Sequence, residues 1–328
     1  MTDQPMEALD QQREFEEQRR TGLGATDTPK ILGLSRYGTA LTVYDSKVNA
    51  VPEHQPSLPA WLGLQLQGTV AQLYRTATGN VVRADNKHHV HRQHPWLVCH
   101  LDFRVRGKPH TLMECKTRAY MKGWGDDGST DIPPDVWAQV QHEMLVTGAV
   151  ECHVAVLFGH HTFRVYPIHR DEDFHTALVP RLEEFWFQHV LARVPPNPSS
   201  HPSDRALLGR LHPSDDGDLL SATPEQGQLV HSLQTAMKAA ALAQEDVEEV
   251  KNRIKAALGD HAGWITPYGT VTWKKTADIR KVEWRKVATE LAKEVDSEYY
   301  DNVLTELAAE HTNISPGVRR FLYERSEV

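Results

Sequence analysis

Apolar and polar positions change their spacing several times along the first two hundred residues, and each change marks an element. TDTPKILG reads as a helix start, with Thr26 or Asp27 as cap and Gly33 near its end. Residues 59–78, PAWLGLQLQGTVAQLYRTAT, carry apolar residues at helical spacing and stop at Gly79, so they predict a helix. VVRAD, WLVCHLDFRV and HTLMECKTR read as strands, the last two joined by the turn RGKP. PPDVWAQVQHEMLVTG has Pro at its start and Gly148 at its end, which predicts a second long helix. ECHVAVLFG and TFRVYPI form a hairpin around GHH, and RLEEFWFQHVLAR is a further helix. These elements make residues 1–195 a mixed α/β domain.

VPPNPSSHPSD (194–204) is rich in Pro and Ser and loses all periodicity, so residues 196–204 are expected to be a linker. Residues 205–328 then form a mostly helical accessory region. Its first segment, PEQGQLVHSLQTAMKAAALAQEDVEEVKNRIKAALG, reads as one long helix or a helical hairpin. WITPYGTVTWK follows as a small β-hairpin, and the remainder is amphipathic helix.

Composition narrows the setting. The three cysteines, Cys99, Cys115 and Cys152, form no CxxC pair and no disulfide framework. The polar, acidic start is unlike a signal peptide, and no run reaches the length of a membrane span. No membrane role and a reducing cytoplasm are expected. Net charge is -8 over 328 residues, so any nucleic-acid site must be a local groove.

The chemistry is concentrated in LMECKTR. Glu114 and Lys116 are two positions apart, so on a strand they share a face. Asp102 lies on the preceding strand, and a short turn can bring it beside Glu114. Two carboxylates and an ammonium on one face suit Mg²⁺, a hard ion typically held by one or two carboxylates with water and phosphate oxygens. The backbone carbonyl of Cys115 is a further candidate ligand, and Lys116 can orient the attacking water and offset phosphate charge. A plain salt bridge on an edge strand explains the same spacing, and spacing alone does not decide between the two.

The surrounding blocks do. HPWLVCHLDFRV with LMECKT resembles the PD-(D/E)xK nuclease motif. RRTGLGATDTPKILGLSRYGTALTVY, WLGLQLQGTVAQLYRTATG and IPPDVWAQVQHEMLVTG narrow the likeness to the YqaJ-like viral recombinase family, relatives of phage lambda exonuclease. That resemblance implies a restriction-endonuclease-like sheet flanked by helices. It implies a Mg²⁺-dependent DNA exonuclease, with Mn²⁺ as the alternative ion, digesting duplex DNA 5′ to 3′ and leaving 3′ tails for phage recombination. Expected partners are double-stranded DNA ends, a single-strand annealing protein and further copies of the chain.

The resemblance also assigns residues. The metal falls to Asp102 and Glu114, and the water to Lys116 and an active-site glutamine. On a helix Gln139 and Gln141 lie about 200° apart, so only one faces the site. Gln141 borders the side marked by Val136, Trp137, Val140 and Met144 and is the expected one. Relatives carry Glu on the first long helix where this chain has Gln67, which offers a carbonyl oxygen but no charge. Arg20, beside Arg19, and Thr26 match the lead-in that approaches the phosphate of the DNA end. The histidines of KHHVHRQHPWLVCH do not alternate into a tetrahedral zinc set, and three scattered cysteines cannot hold an iron–sulfur cluster. Two rivals remain: a nuclease fold weakened at Gln67 that binds or assembles on DNA, and an endonuclease of repair or defence.

Overall fold

The computed structural model describes residues 20–49, 57–85, 87–159 and 161–274. The chain divides after His212 into two compact units.

Among the described residues of the first unit come a short helix α1 (Thr28–Ile31), then α2 (Ala40–Val48) and α3 (Leu58–Thr78). Pro at its start and Gly79 in the left-handed region at its end bound α3, as the sequence predicts. Five short or medium strands follow: β1 (Val82–Ala84), β2 (His88–Val90), β3 (Val98–His100), β4 (Phe103–Val105) and β5 (Thr111–Arg118). Helix α4 (Pro134–Thr147) precedes the hairpin of β6 (Glu151–Phe158) and β7 (Thr162–His169). Helix α5 (Glu172–Glu184) runs into π-helical turns at Phe185–Leu191, and α6 (Pro202–Leu211) closes the unit.

The main sheet has the order β1-β4-β5-β6-β7. All its pairings are antiparallel except β5 with β6, which run parallel from Thr111↔Glu151 to Arg118↔Phe158. A parallel pair needs a crossover, and α4 supplies it. Alternation along β5 sends its side chains to two cores. Leu112 packs with Val136, Val140 and Met144 of α4, whereas Met113 packs with Val70 and Tyr74 of α3. The sheet is therefore covered on both faces, the mixed α/β architecture expected. It also follows that Glu114 and Lys116, in phase with Leu112, lie on the α4 side.

Two expectations change. WLVCHLDFRV is not one strand: β3 pairs with β2 in a separate two-stranded sheet, and β4 joins the main sheet. Asp102 lies in the bend between them, where its carboxylate accepts the Cys115 N–H over 2.9 Å in place of a strand partner. Nor does the first unit end at residue 195. Asp204 accepts bonds from the Thr39 hydroxyl and from Ser199 N and Oγ, and Leu207 is buried in the main core. Arg210 pairs with Asp45 of α2. These contacts dock α6 and place the break after His212, past the expected linker.

In the second unit, α7 (Pro224–Leu258) is a single 35-residue helix, opened by a reciprocal cap between Thr223 and Gln226. The hairpin of β8 (Gly263–Thr266) and β9 (Gly269–Thr272) follows, as expected. The amphipathic helix expected beyond it lies outside the described residues. No described helix is long and apolar enough to cross a membrane.

Candidate active site

The register of β4 with β5 sets Phe103 opposite Met113 and Arg104 opposite Leu112, so Asp102, one step back, is brought to the level of Glu114. Lys116 Nζ donates to Glu114 Oε1 over 2.7 Å, and only 14% of the lysine side chain is exposed. The charged pair is thus a buried contact facing α4 and not a solvated edge.

From α4 the residue that enters is Gln139. Its Oε1 accepts from Lys116 Nζ over 2.7 Å, and its Nε2 donates to Glu114 Oε1 over 2.7 Å and to Glu143 Oε1 over 2.9 Å. Gln141, the expected active-site glutamine, lies on the other side of the helix. It is fully buried, donates to the His169 carbonyl over 2.7 Å and accepts from Asp171 N over 3.0 Å. Its amide ties α4 to the start of α5, so the assignment moves from Gln141 to Gln139.

Gln67 does reach the site, as a donor: its Nε2 lies 2.8 Å from Asp102 Oδ1. Asp102 therefore accepts from a neutral amide on one oxygen and from a backbone N–H on the other. Glu143, which the sequence reading did not single out, is 2% exposed and completes a set of three carboxylates served by one ammonium.

The electrostatics follow from that imbalance. Burial, reinforced by the charge of Glu114, pushes the Asp102 carboxyl up to about 8. Burial, again with Glu114, pushes Glu143 well above the usual carboxylate range. Burial pulls against the charge on Lys116, but Glu114 outweighs it and the ammonium is held above its ordinary value. Burial first, then Asp102 and Glu114, raise the Cys115 thiol, which leaves that sulfur protonated.

These residues open onto a cavity of about 940 Å³, whose wall includes Asp102, Glu114, Lys116, Gln139, Glu143 and Gln67. Thr26 is exposed and lines it as well. Arg20 is exposed but does not contribute to this wall, and Arg19 lies outside the described residues. Two arginines the sequence reading passed over, Arg36 and Arg118, do contribute. A smaller cavity of about 430 Å³, between Trp137 and His169–Asp173, shares none of the charged cluster.

Hard oxygen donors fit a divalent ion of the Mg²⁺ type, and the excess of carboxylates over ammonium favours a cation. Asp102 and Glu114 can supply two such donors. Among the described residues no three His, Cys, Asp or Glu side chains enclose an ion by themselves, so backbone, water or substrate oxygens would complete any shell. The histidine-rich stretch is engaged otherwise. His88 Nδ1 lies 3.4 Å from His100 Nε2, and His89 pairs with Asp85 at 3.0 Å.

Comparison with known proteins gives several likenesses. Over 270 residues the chain is 27% identical to the uncharacterized protein YqaJ of Bacillus subtilis (strain 168), covering 80% of this chain and 83% of that protein. Among solved structures, the alkaline exonuclease LHK-Exo of Laribacter hongkongensis, in complex with dAMP, aligns at TM-score 0.42 and 14% identity, over 61% of this chain and 97% of that one. A phage related exonuclease from Haemophilus somnus 129PT aligns at TM-score 0.40 and 8% identity, over 58% and 96% respectively. The family model of the YqaJ-like viral recombinase domain matches residues 14–150, which hold the Gln67, Asp102, Glu114, Lys116 and Gln139 cluster. Over those residues the chain is thus similar to the YqaJ-like viral recombinase domain, the likeness that its sequence blocks carry.

Proposed function

We propose that the chain is a metal-dependent DNA exonuclease that degrades duplex ends 5′ to 3′ and leaves 3′ single-stranded tails for phage recombination. The observation that carries this reading is the buried Asp102–Glu114–Lys116–Gln139 cluster on the wall of a 940 Å³ cavity, within the recombinase domain.

The reaction is phosphodiester hydrolysis. A bound Mg²⁺, or Mn²⁺, supplies charge stabilisation and makes water a stronger nucleophile near neutral pH. Asp102 and Glu114 would hold the ion, with the Cys115 carbonyl as a third candidate ligand. Lys116, fixed between Glu114 and Gln139, orients the water and offsets the charge that builds on the phosphate. Thr26, Arg36 and Arg118 line the same cavity and suit phosphate oxygens. On this reading the partners are double-stranded DNA ends, an annealing protein and further copies of the chain, in the cytoplasm of a bacterial host.

One observation favours a second reading. The neutral Gln67 donates to Asp102 where relatives resembling this chain carry Glu, so turnover could be weak and the cavity could serve chiefly to hold DNA. End-labelled linear duplexes with 5′-phosphate or 5′-hydroxyl, beside a closed circle of the same sequence, test both readings. Mononucleotide release from the 5′-phosphate end with an intact circle supports the exonuclease. Cutting of the circle supports an endonuclease, and tight binding without cutting supports the second reading.

A further inference from the structure

Gln139 has one amide and three charged neighbours. Its two donors are spent on the carboxylates of Glu114 and Glu143, and its acceptor on the ammonium of Lys116. The amide's orientation therefore fixes which of its ends Lys116 meets. Turned by half a rotation, it would set oxygen against two carboxylates and N–H against an ammonium. Glu114 helps to prevent that turn, but Glu114 is also the carboxylate that would be drawn to a cation. Glu143 is different. It is four residues along α4 from Gln139, one turn of the same rigid helix, and is 2% exposed. Its grip on Gln139 does not depend on what Glu114 is doing.

We propose that Glu143 is a positioning residue: by holding Gln139 Nε2 it keeps Gln139 Oε1 on Lys116 and so fixes the ammonium over the cavity. The inference rests on the nuclease reading for its catalytic consequence, but its geometric content stands apart from activity. It requires an acceptor at position 143 and does not require a charge there. A glutamine keeps an acceptor through its carbonyl oxygen; an alanine keeps none.

The test compares the full chain with Glu143→Gln and Glu143→Ala in two measurements. The first is exchange of the Gln139 side-chain amide protons by NMR with labelled glutamine, the signal assigned by its loss in Gln139→Ala. Both protons should exchange slowly in the natural protein and in Glu143→Gln, and one should exchange at least about tenfold faster in Glu143→Ala. The second is steady-state cleavage of a linear duplex in Mg²⁺. Glu143→Ala should lose about 10–100-fold in kcat, the cost typical of removing a supporting hydrogen-bond partner, with KM little changed. Glu143→Gln should restore kcat to within about threefold of the natural protein, on the same tenfold scale. Unchanged exchange in Glu143→Ala overturns the proposal. So does Glu143→Gln with protected amide protons but the kcat of Glu143→Ala, because charge rather than orientation would then be the requirement. A natural protein that cleaves no duplex overturns the nuclease reading, while amide exchange still decides the role of Glu143.

Discussion

Replacing Gln67 by Glu sets a carboxylate where a neutral amide now donates to Asp102 Oδ1 over 2.8 Å. Two costs follow when no cation is present. The lost hydrogen bond to a charged acceptor is worth about 1.5–3 kcal/mol. Two unit charges about 4 Å apart repel by about 4 kcal/mol at an effective dielectric of about 20. The repulsion is felt in full only when both groups are ionised, and Asp102 is held up to about 8 by burial and Glu114. At pH 9 the repulsion is capped at about 1.4 kcal/mol, the cost of protonating Asp102 one unit above its value, so with the lost hydrogen bond the variant in chelator should melt roughly 5–15 °C below the natural protein, taking about 2–4 °C per kcal/mol for a unit of this size. Near pH 6 the gap should narrow, because Asp102 then carries a proton. A divalent ion reverses the balance by giving the added carboxylate a partner. Millimolar Mg²⁺ should close the melting gap, and half-maximal cleavage should need about tenfold less Mg²⁺, equivalent to about 1.4 kcal/mol of added attraction. Differential scanning fluorimetry with and without chelator, beside a Mg²⁺ titration of cleavage, measures both. Identical melting and identical metal dependence would refute the placement of Gln67 against Asp102.

Three further outcomes follow. Gln141→Ala should lower stability by about 2–3 kcal/mol, because it strands the His169 carbonyl and the Asp171 N–H, while leaving kcat near normal; loss of activity without loss of stability would return Gln141 to the site. His142 is fully buried between the Thr28 hydroxyl and the Val98 carbonyl, and burial pulls its ring down to about 4. The unfolded chain takes up a proton near pH 6.5 and the folded chain does not, so this contribution is complete above about pH 6.5 and declines as pH falls towards 4. It amounts to about 3 kcal/mol, and a flat stability profile over that range would contradict it. Limited proteolysis should nick the exposed run 213–222 before residues 196–204, where Ser199 and Asp204 are tied together; early cutting at 196–204 would mean that α6 is not docked.

The elements themselves were legible in the sequence wherever one face is apolar or a terminus is marked. Gly79 and Gly148 close α3 and α4 in the left-handed conformation, as their positions after periodic runs imply. The pairing of Asp102 with Glu114 and Lys116 was legible too, because a short turn between strands leaves few registers. The glutamine was not. Helix α4 is buried from Val136 to Val146 almost without interruption, so its apolar stripe marks one core while the opposite side is enclosed by the charged cluster. Periodicity identifies a helix's apolar side and is silent about a second, polar burial. For the same reason Glu143 was not singled out from the sequence. The Pro/Ser-rich stretch failed for another reason: its composition describes local chain preference, while Asp204, Leu207 and Arg210 bind partners on α2, at its cap or in the core, more than 160 residues away in the case of Thr39 and Asp45. Arg20 matched a motif by order along the chain, and order does not say which arginines the fold brings to the cavity wall.

The most direct test of the metal-dependent nuclease reading is nucleotide release from a linear duplex by the full chain and by Lys116→Ala, each in Mg²⁺ and in chelator. Lys116 Nζ touches both Glu114 and Gln139, so its removal takes the one ammonium from a cluster of three carboxylates without opening the core. The natural protein should release nucleotides in Mg²⁺ and none in chelator, and Lys116→Ala should be slower by about 10²–10⁴ while keeping the natural protein's circular dichroism spectrum at assay temperature. Equal rates for the two proteins, or release that persists in chelator, would contradict the account.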